Sequence, residues 1–259
     1  MKKTNITTKD IIFFQDLLHK SIIDRYVEKG AIPVLIDSER ETLNMDPISL
    51  EYAFKKYETA KTVIVANLYG TQGYIKRLKK ICNDNKAVLV EIAKEDIENS
   101  SDSKSKFNNI EDYMQKKEKI YNRYKDAFKE LPLEVNPHSE EMKARFWNSF
   151  IRIDSETVYG LSQDFKQVTP EMIRKELEKN NFIAKPIIVP LHLTEKYRDC
   201  EFVALFKFAE HFYEVDRSVS TDAYTCCLSL PSDVELKEEK QNEIIDIIRR
   251  MFVKQTIKF

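Results

Sequence analysis

Glycine is scarce in this chain: Gly30, Gly70, Gly73 and Gly160 are the four present, where ordinary usage of about 7 % would give roughly 18. A phosphate cradle needs backbone to approach the anion closely, and glycine is the usual means. The sequence therefore has little material for a glycine-rich nucleotide loop. Long apolar runs are also missing. None approaches the roughly 18 residues needed to span a bilayer, and the N-terminus does not join a basic region to an apolar core and small-residue cleavage site. No membrane contact is expected, and the cytoplasm is the expected location. Charge of one sign is absent too: 42 basic and 43 acidic side chains leave a net charge of −1, so no global field favours nucleic acid. The four cysteines, Cys82, Cys200, Cys226 and Cys227, lack the paired spacing of a zinc site and read as buried reduced thiols.

What is present is an alternation of apolar strands and amphipathic helices. Strands are expected over 10–15, 32–36, 62–66 and 88–92, and helices over 16–29, 48–57 and 74–83, with Gly30 closing the first helix. Four such alternations predict βαβ units and a mainly parallel sheet. The run 87–96 is the centre of this reading: a short apolar strand ends abruptly in charged residues, and in α/β folds the carboxyl ends of buried parallel strands open on the ligand crevice. A polar stretch rich in serine and asparagine, 97–109, follows as a linker. A long helix over 110–131 then carries Tyr113, Ile120, Tyr121, Tyr124 and Phe128 on one face. Beyond it come expected strands over 143–153, 182–188 and 225–230 and helices over 170–178 and 238–252. The fold class is thus α/β, with a large domain over 1–109 and a bridging helix plus small α+β domain over 110–259.

Four blocks carry a resemblance: Gly30-Ala-Ile-Pro-Val-Leu-Ile-Asp37 with Asn44-Met-Asp-Pro47; Val65-Ala-Asn-Leu-Tyr-Gly70; Pro190-Leu-His-Leu-Thr-Glu-Lys-Tyr-Arg-Asp-Cys200; and Cys227-Leu-Ser-Leu-Pro-Ser232 before a Glu/Lys-rich helix. In their order along the chain they resemble the DegT/StrS-type sugar aminotransferases. Members of that family have the aspartate-aminotransferase fold and use pyridoxal phosphate. The resemblance implies a shortened large domain of that fold and the family's small C-terminal domain.

The same resemblance exposes losses. Met1–Lys9 alone precede the first matching strand, so the family's Ser-Gly-Thr phosphate turn has no counterpart. The family's Glu-Asp-Ala-Ala-Gln/Glu strand is similar to Glu91-Ile92-Ala93-Lys94-Glu95, which places Ile92 where an aspartate would pair with the pyridine nitrogen. The segment bearing the Schiff-base lysine is replaced by the linker 97–109. The family's Arg-Pro-x-Trp-Lys-Pro-x-His pattern stands here as Lys185-Pro-Ile-Ile188-Val189-Pro-Leu-His192, and Asn67 replaces a histidine. No cofactor is therefore expected, although the family uses pyridoxal phosphate.

Candidate site residues follow from the resemblance. His19 falls where the family stacks an aromatic ring on the cofactor, the alternative being a histidine that packs locally at a helix start. Glu95 lies in the strand-end block. Lys94 beside it could attack an aldehyde if desolvated, or be a paired surface lysine. Glu91, Glu95 and Asp96 could chelate a hard cation, yet no turn glycine accompanies them. Lys185 and His192 could hold an anion such as a nucleotide-sugar diphosphate, or His192 could be a residue kept for the fold. The functional expectation is a catalytically inactive member acting as a binding or partner subunit in nucleotide-sugar metabolism. A second reading is an active enzyme completed by another chain, and a third is a gene remnant. Four strands alone would leave a sheet edge or face uncovered, so the chain is expected to form a homodimer or to pair with a full-length paralogue.

Overall fold

A computed structural model describes residues 8–67, 70–71, 73–92, 110–138, 148–205 and 218–254. The expected linker 97–109, with Lys94, Glu95 and Asp96, lies outside the described residues, as do residues 143–147 of the strand expected over 143–153. The chain divides into two compact units, residues 1–68, 72–104 and 188–221 forming one, and 69–71, 105–187 and 222–259 the other. Along the sequence the first unit first gives way to a long segment of the second at residues 104/105. The chain then returns, however, and 188–221 packs in the first unit.

The first unit is a five-stranded parallel sheet in the order β4-β3-β1-β2-β8. Its strands are β1 (Ile11–Gln15), β2 (Ile32–Ile36), β3 (Thr62–Ala66), β4 (Val88–Ile92) and β8 (Glu201–Val203). β1 is central because both of its sides are paired: Ile12 lies opposite Pro33 on β2 and opposite Thr62 on β3. Alternate residues of β1 point to opposite faces. Phe13 joins one apolar cluster with Leu50 and Phe54 of helix α2 (Pro47–Lys56) and Leu78 and Ile81 of α3 (Ile75–Asp84). Ile12 and Phe14 join another with Ile22, Ile23 and Tyr26 of α1 (Lys20–Val27) and with Leu191 and Tyr197. The sheet is buried on both faces, which explains why its strands read as continuous apolar runs.

Local chemistry sets the helix ends. Asp46 caps α2, its carboxylate accepting from Ile48 and Ser49 N–H at 3.2 and 2.7 Å, and Pro47 supplies the first-turn residue whose N–H would be unpaired anyway. α1 begins at Lys20 and not at residue 16, as the sequence suggests. Asp16–Leu18 form a turn in which Leu18 N–H bonds Asp16 O, and His19 is the cap. Gly30 adopts φ +90° beyond α1, and a Cβ there would lie 2.8 Å from Thr8 Cγ2.

The fifth strand, β8, was not legible in the sequence. Three residues are too few for a pattern, and β8 is held by pairing with β2 and by ion pairing of Glu201 with Lys56 of α2. It covers the β2 side of the sheet, whereas β4 is a sheet edge among the described residues, with Val88 exposed.

The second unit is built on an antiparallel sheet in the order β5-β6-β9-β7, from β5 (Leu133–Val135), β6 (Phe150–Ile153), β7 (Lys185–Pro186) and β9 (Cys227–Ser229). Around it lie α4 (Ile110–Phe128), the short α5 (Ser155–Tyr159), α6 (Pro170–Lys179) and α8 (Glu238–Met251). Tyr124, Phe128, Ile173, Leu177, Leu228, Ile244 and Ile248 form its core. Polar anchors run between α4 and the C-terminal segment: Gln241 Nε2 donates to Ile120 O at 2.8 Å, and Tyr124 OH to Pro231 O at 2.8 Å. Two expectations change here. The strand expected over 182–188 shrinks to two residues, and the one expected over 225–230 begins as the end of helix α7 (Val219–Cys226) before becoming β9.

Ile248 is fully buried on α8. Ile248→Ala loses its apolar burial and leaves a cavity, so chemical unfolding should show a loss of about 2–5 kcal/mol. An unchanged unfolding midpoint would place the helix outside the core.

Candidate functional site at the carboxyl ends of the parallel strands

The order of the sheet creates a switch point. From β1 the chain goes first to β2 on one side and then to β3 on the other, and in open parallel sheets ligands bind at the carboxyl ends of strands where this reversal occurs. A cavity of about 10 Å³ lies at that place, lined by Gln15 from the end of β1, Ala66 and Asn67 from the end of β3, and Asn44 and Gly73 from the loops above. It is smaller than the roughly 300–1,000 Å³ usual for small-molecule sites. Gly73 brings two loops into contact, since a Cβ there would stand 2.6 Å from Asn44 Cβ. The Gln15 amide is buried in the floor. Its Oε1 accepts from Ala66 N–H at 3.3 Å across the switch point, and its Nε2 donates to Leu17 O at 3.2 Å. The residue that reaches across the β1–β3 gap thus spends its amide on backbone.

Ile92 ends β4 opposite Ala66. It is 6 % exposed and belongs to the apolar cluster that contains Phe14, Ile64, Ala66 and Leu191. Asn67 is exposed at the end of β3. Glu91 points to solvent and pairs with Lys79 at 2.7 Å. Among the described residues no group of three His, Cys, Asp or Glu side chains could hold a metal ion, and no helix is long and apolar enough to cross a membrane.

A denser polar site lies beyond β1 and β2. Asp16 is fully buried. Its Oδ1 accepts the backbone N–H of His192 at 2.9 Å, and its Oδ2 accepts from His192 Nδ1 at 2.7 Å. His192 Nε2 lies 3.0 Å from Thr221 Oγ1. The ring stacks on Phe202 of β8, with centroids 4.1 Å apart and planes at 6°. Both nitrogens and one face of the imidazole are therefore occupied within this unit.

Asp37, just past β2, caps α7 in the same manner as a side-chain N-cap: Oδ2 accepts from Val219 N–H at 2.9 Å and Oδ1 from Ser220 N–H at 3.0 Å. Burial pushes its carboxyl above the usual carboxylate range, against the hydrogen bonds that pull it down. Ser218 Oγ accepts from Thr221 N–H at 3.1 Å as the adjacent cap. Further along, the Glu39 carboxylate organises the 39–44 turn by accepting from Glu41 N–H at 2.8 Å and Thr42 N–H at 3.0 Å. Its carboxyl is likewise raised by burial.

The sequence-derived candidates fall in different places. His19 is exposed, and its Nδ1 accepts from Ser21 N–H at 3.3 Å, the local helix-start geometry. Lys185 is exposed on β7 in the second unit, while His192 belongs to the first. Glu95 lies outside the described residues. Asp16 was not singled out in the sequence, although an acid directly following five strand residues at a carboxyl end is a signal that could have found it. Thr221 and Ser218 carry no such signal, because α7 is made of poor helix formers and is held by Asp37.

Comparison with known proteins extends this geometry. The family model described as the DegT/DnrJ/EryC1/StrS aminotransferase family matches residues 5–98 and 99–249, in two blocks. EpsN of Bacillus subtilis, named as an aminotransferase dependent on pyridoxal phosphate, is 21 % identical over 320 residues, covering 94 % of this chain and 78 % of EpsN. Those 320 residues exceed the 259 of this chain, so the alignment opens gaps in it. Among solved structures, a DegT DnrJ EryC1 StrS aminotransferase from Brucella abortus aligns with a TM-score of 0.75 at 17 % identity, over 95 % of this chain and 80 % of that one. The GDP-4-keto-6-deoxy-D-mannose-3-dehydratase of E. coli aligns with a TM-score of 0.72 at 13 % identity, over 95 % and 82 %. The matched model covers nearly the whole sequence, and the mainly parallel α/β sheet is that of these structures; the chain belongs to the DegT/DnrJ/EryC1/StrS aminotransferase family.

Proposed function

We propose that this chain is a member of the family that does not transaminate and that serves as a binding or partner subunit in nucleotide-sugar metabolism. The observation that carries the proposal is Ile92. By the resemblance of Glu91-Ile92-Ala93 to the family's strand, Ile92 stands where an acid would hold the proton of the pyridine nitrogen. Here the position is a buried member of an apolar cluster. A hydrocarbon side chain accepts no proton, and a charged pyridinium above it would be desolvated without a partner.

Two further features support the reading. The Gln15 amide and the Gly73–Asn44 contact occupy the switch-point cleft, so the described residues fit pyridoxal phosphate poorly. The family match also breaks between residues 98 and 99, next to the point at which the sequence lacks the lysine-bearing segment. No catalytic step is assigned to pyridoxal phosphate in this chain.

The test is an absorbance titration of the purified protein with pyridoxal phosphate, followed by borohydride. No stoichiometric adduct should persist through gel filtration. A yellow adduct that does persist, and that maps to a single lysine of this chain by mass spectrometry, would overturn the proposal.

Association is the second part of the proposal, with β4 as an edge strand among the described residues, its Val88 exposed. Light scattering should give the mass of a homodimer, or of a heteromer when a full-length family member is added. A compact monomer in both samples, with no binding of a hydrophobic dye, would contradict it.

A further inference from the structure

The loop between β2 and α2 closes over the switch-point cavity. It leaves β2 and comes back on itself: Ser38 and Met45 pair as an antiparallel bridge, Asp46 N–H donates to Asp37 O at 2.9 Å, and Glu39 N–H donates to Asn44 O at 2.8 Å. Residues 39–44 are thereby a closed turn. Two contacts seat it on the segment that leads into α3. Glu41 Oε2 accepts from Tyr74 OH at 2.9 Å, and Asn44 packs on Gly73, where a Cβ would stand 2.6 Å from Asn44 Cβ. Asn44, Met45 and Gly73 line the cavity together with Gln15 and Ala66 at the strand ends.

The turn holds an anion of its own. Glu39 is 8 % exposed, and its carboxylate is bonded by the turn that follows it. Oε2 accepts from Glu41 N–H at 2.8 Å and Thr42 N–H at 3.0 Å, and Oε1 accepts from Asn44 N–H at 3.2 Å and from the Thr42 hydroxyl. Backbone N–H groups that converge in this way form a nest, the concavity by which turns bind anions. Donors face both oxygens, which suits a carboxylate and not an amide, whose NH2 would meet N–H groups.

Leu43 shows what the carboxylate holds in place. It is 1 % exposed and sits at φ +63°, in the left-handed region that a non-glycine residue keeps only when its surroundings impose it. Glu39 bonds the residues on either side of it, Thr42 and Asn44. Asn44 Nδ2 donates in turn to Thr42 Oγ1 at 2.8 Å, so the side chain that reaches Gly73 is tied to the hydroxyl that the carboxylate holds.

We propose that residues 39–44 form a lid over the switch point and that the Glu39 carboxylate, seated in the nest, is its catch. The switch point is closed by an anion that the chain itself supplies. A small carboxylate from solution is the ligand class that takes the same seat once the Glu39 side chain is removed. The lid does not depend on the proposal above, which rests on Ile92.

Hydrogen exchange and thermal unfolding separate the catch from the lid. Glu39→Ala empties the nest, so the amides of Thr42 and Asn44, and that of Ala66 beneath the lid, should lose protection by about tenfold or more, while Ile12 and Val34 within the sheet keep theirs. Formate should restore that protection and raise the variant's unfolding midpoint saturably. Chloride at equal ionic strength should do neither, and formate should leave the natural chain unchanged. Glu39→Gln keeps the length and one acceptor oxygen, and should lower the same protection if the alanine variant does not fold. Gly73→Ala pushes Asn44 from its seat but leaves the nest filled, so Ala66 should lose protection while Thr42 retains it. Unchanged protection of Thr42 and Asn44 in the Glu39 variants, formate no more effective than chloride on Glu39→Ala, or unchanged protection of Ala66 in Gly73→Ala would overturn the proposal.

Discussion

Burial of the parallel sheet on both faces is the constraint on which the first unit depends. β1 has hydrogen-bonded neighbours on each side, so Phe13 can point only into the cluster with Phe54 and Leu78, and Ile12 and Phe14 only into the one with Ile22 and Tyr26. Each fully buried aliphatic or aromatic side chain contributes about 1.5–3 kcal/mol relative to exposure, an upper figure because unfolded chains bury some surface too. With both faces closed, polar chemistry is displaced to the strand ends. There it divides into two places, the β1–β3 switch point and the cluster beyond β1 and β2.

The two places have different characters. At the switch point, Gln15 spends its amide on Ala66 and Leu17, and Ile92 extends the apolar cluster to the end of β4. Beyond β1 and β2, buried carboxylates meet imidazole, hydroxyl and backbone N–H partners, a satisfied network of the kind that fixes one arrangement of the chain. Asp16 and His192 fasten the returning segment to the sheet, helped by Tyr197 and Lys196 on Asp24. The return of 188–221 to the first unit thus rests on directional contacts as much as on the burial of Leu191 and Tyr197.

Strands β1 to β4 and helices α2, α3, α4, α6 and α8 were legible in the sequence, because their apolar periodicity continues for five residues or more, and Pro47 and Pro170 mark the starts of α2 and α6. β8 and α7 were not. β8 is three residues long, and α7, Val-Ser-Thr-Asp-Ala-Tyr-Thr-Cys, has low intrinsic helix preference and forms because Asp37, 182 residues away from Val219, caps it. The same distance hid the polar site. His192 was visible as a candidate through family resemblance, but Asp16, Thr221 and Ser218 meet it only through the fold. Ile92 was legible as a strand residue, and its place at the family's acid is what the resemblance implies.

The character of the β4 end is tested most directly by Ile92→Asp, measured by thermal and chemical unfolding with and without pyridoxal phosphate. An unpaired carboxylate placed in the Phe14–Ile64–Leu191 cluster should cost about 3 kcal/mol or more, and added pyridoxal phosphate should not recover it. A variant as stable as the natural chain, with an unfolding midpoint that rises with pyridoxal phosphate, would contradict the assignment of this strand end to the core.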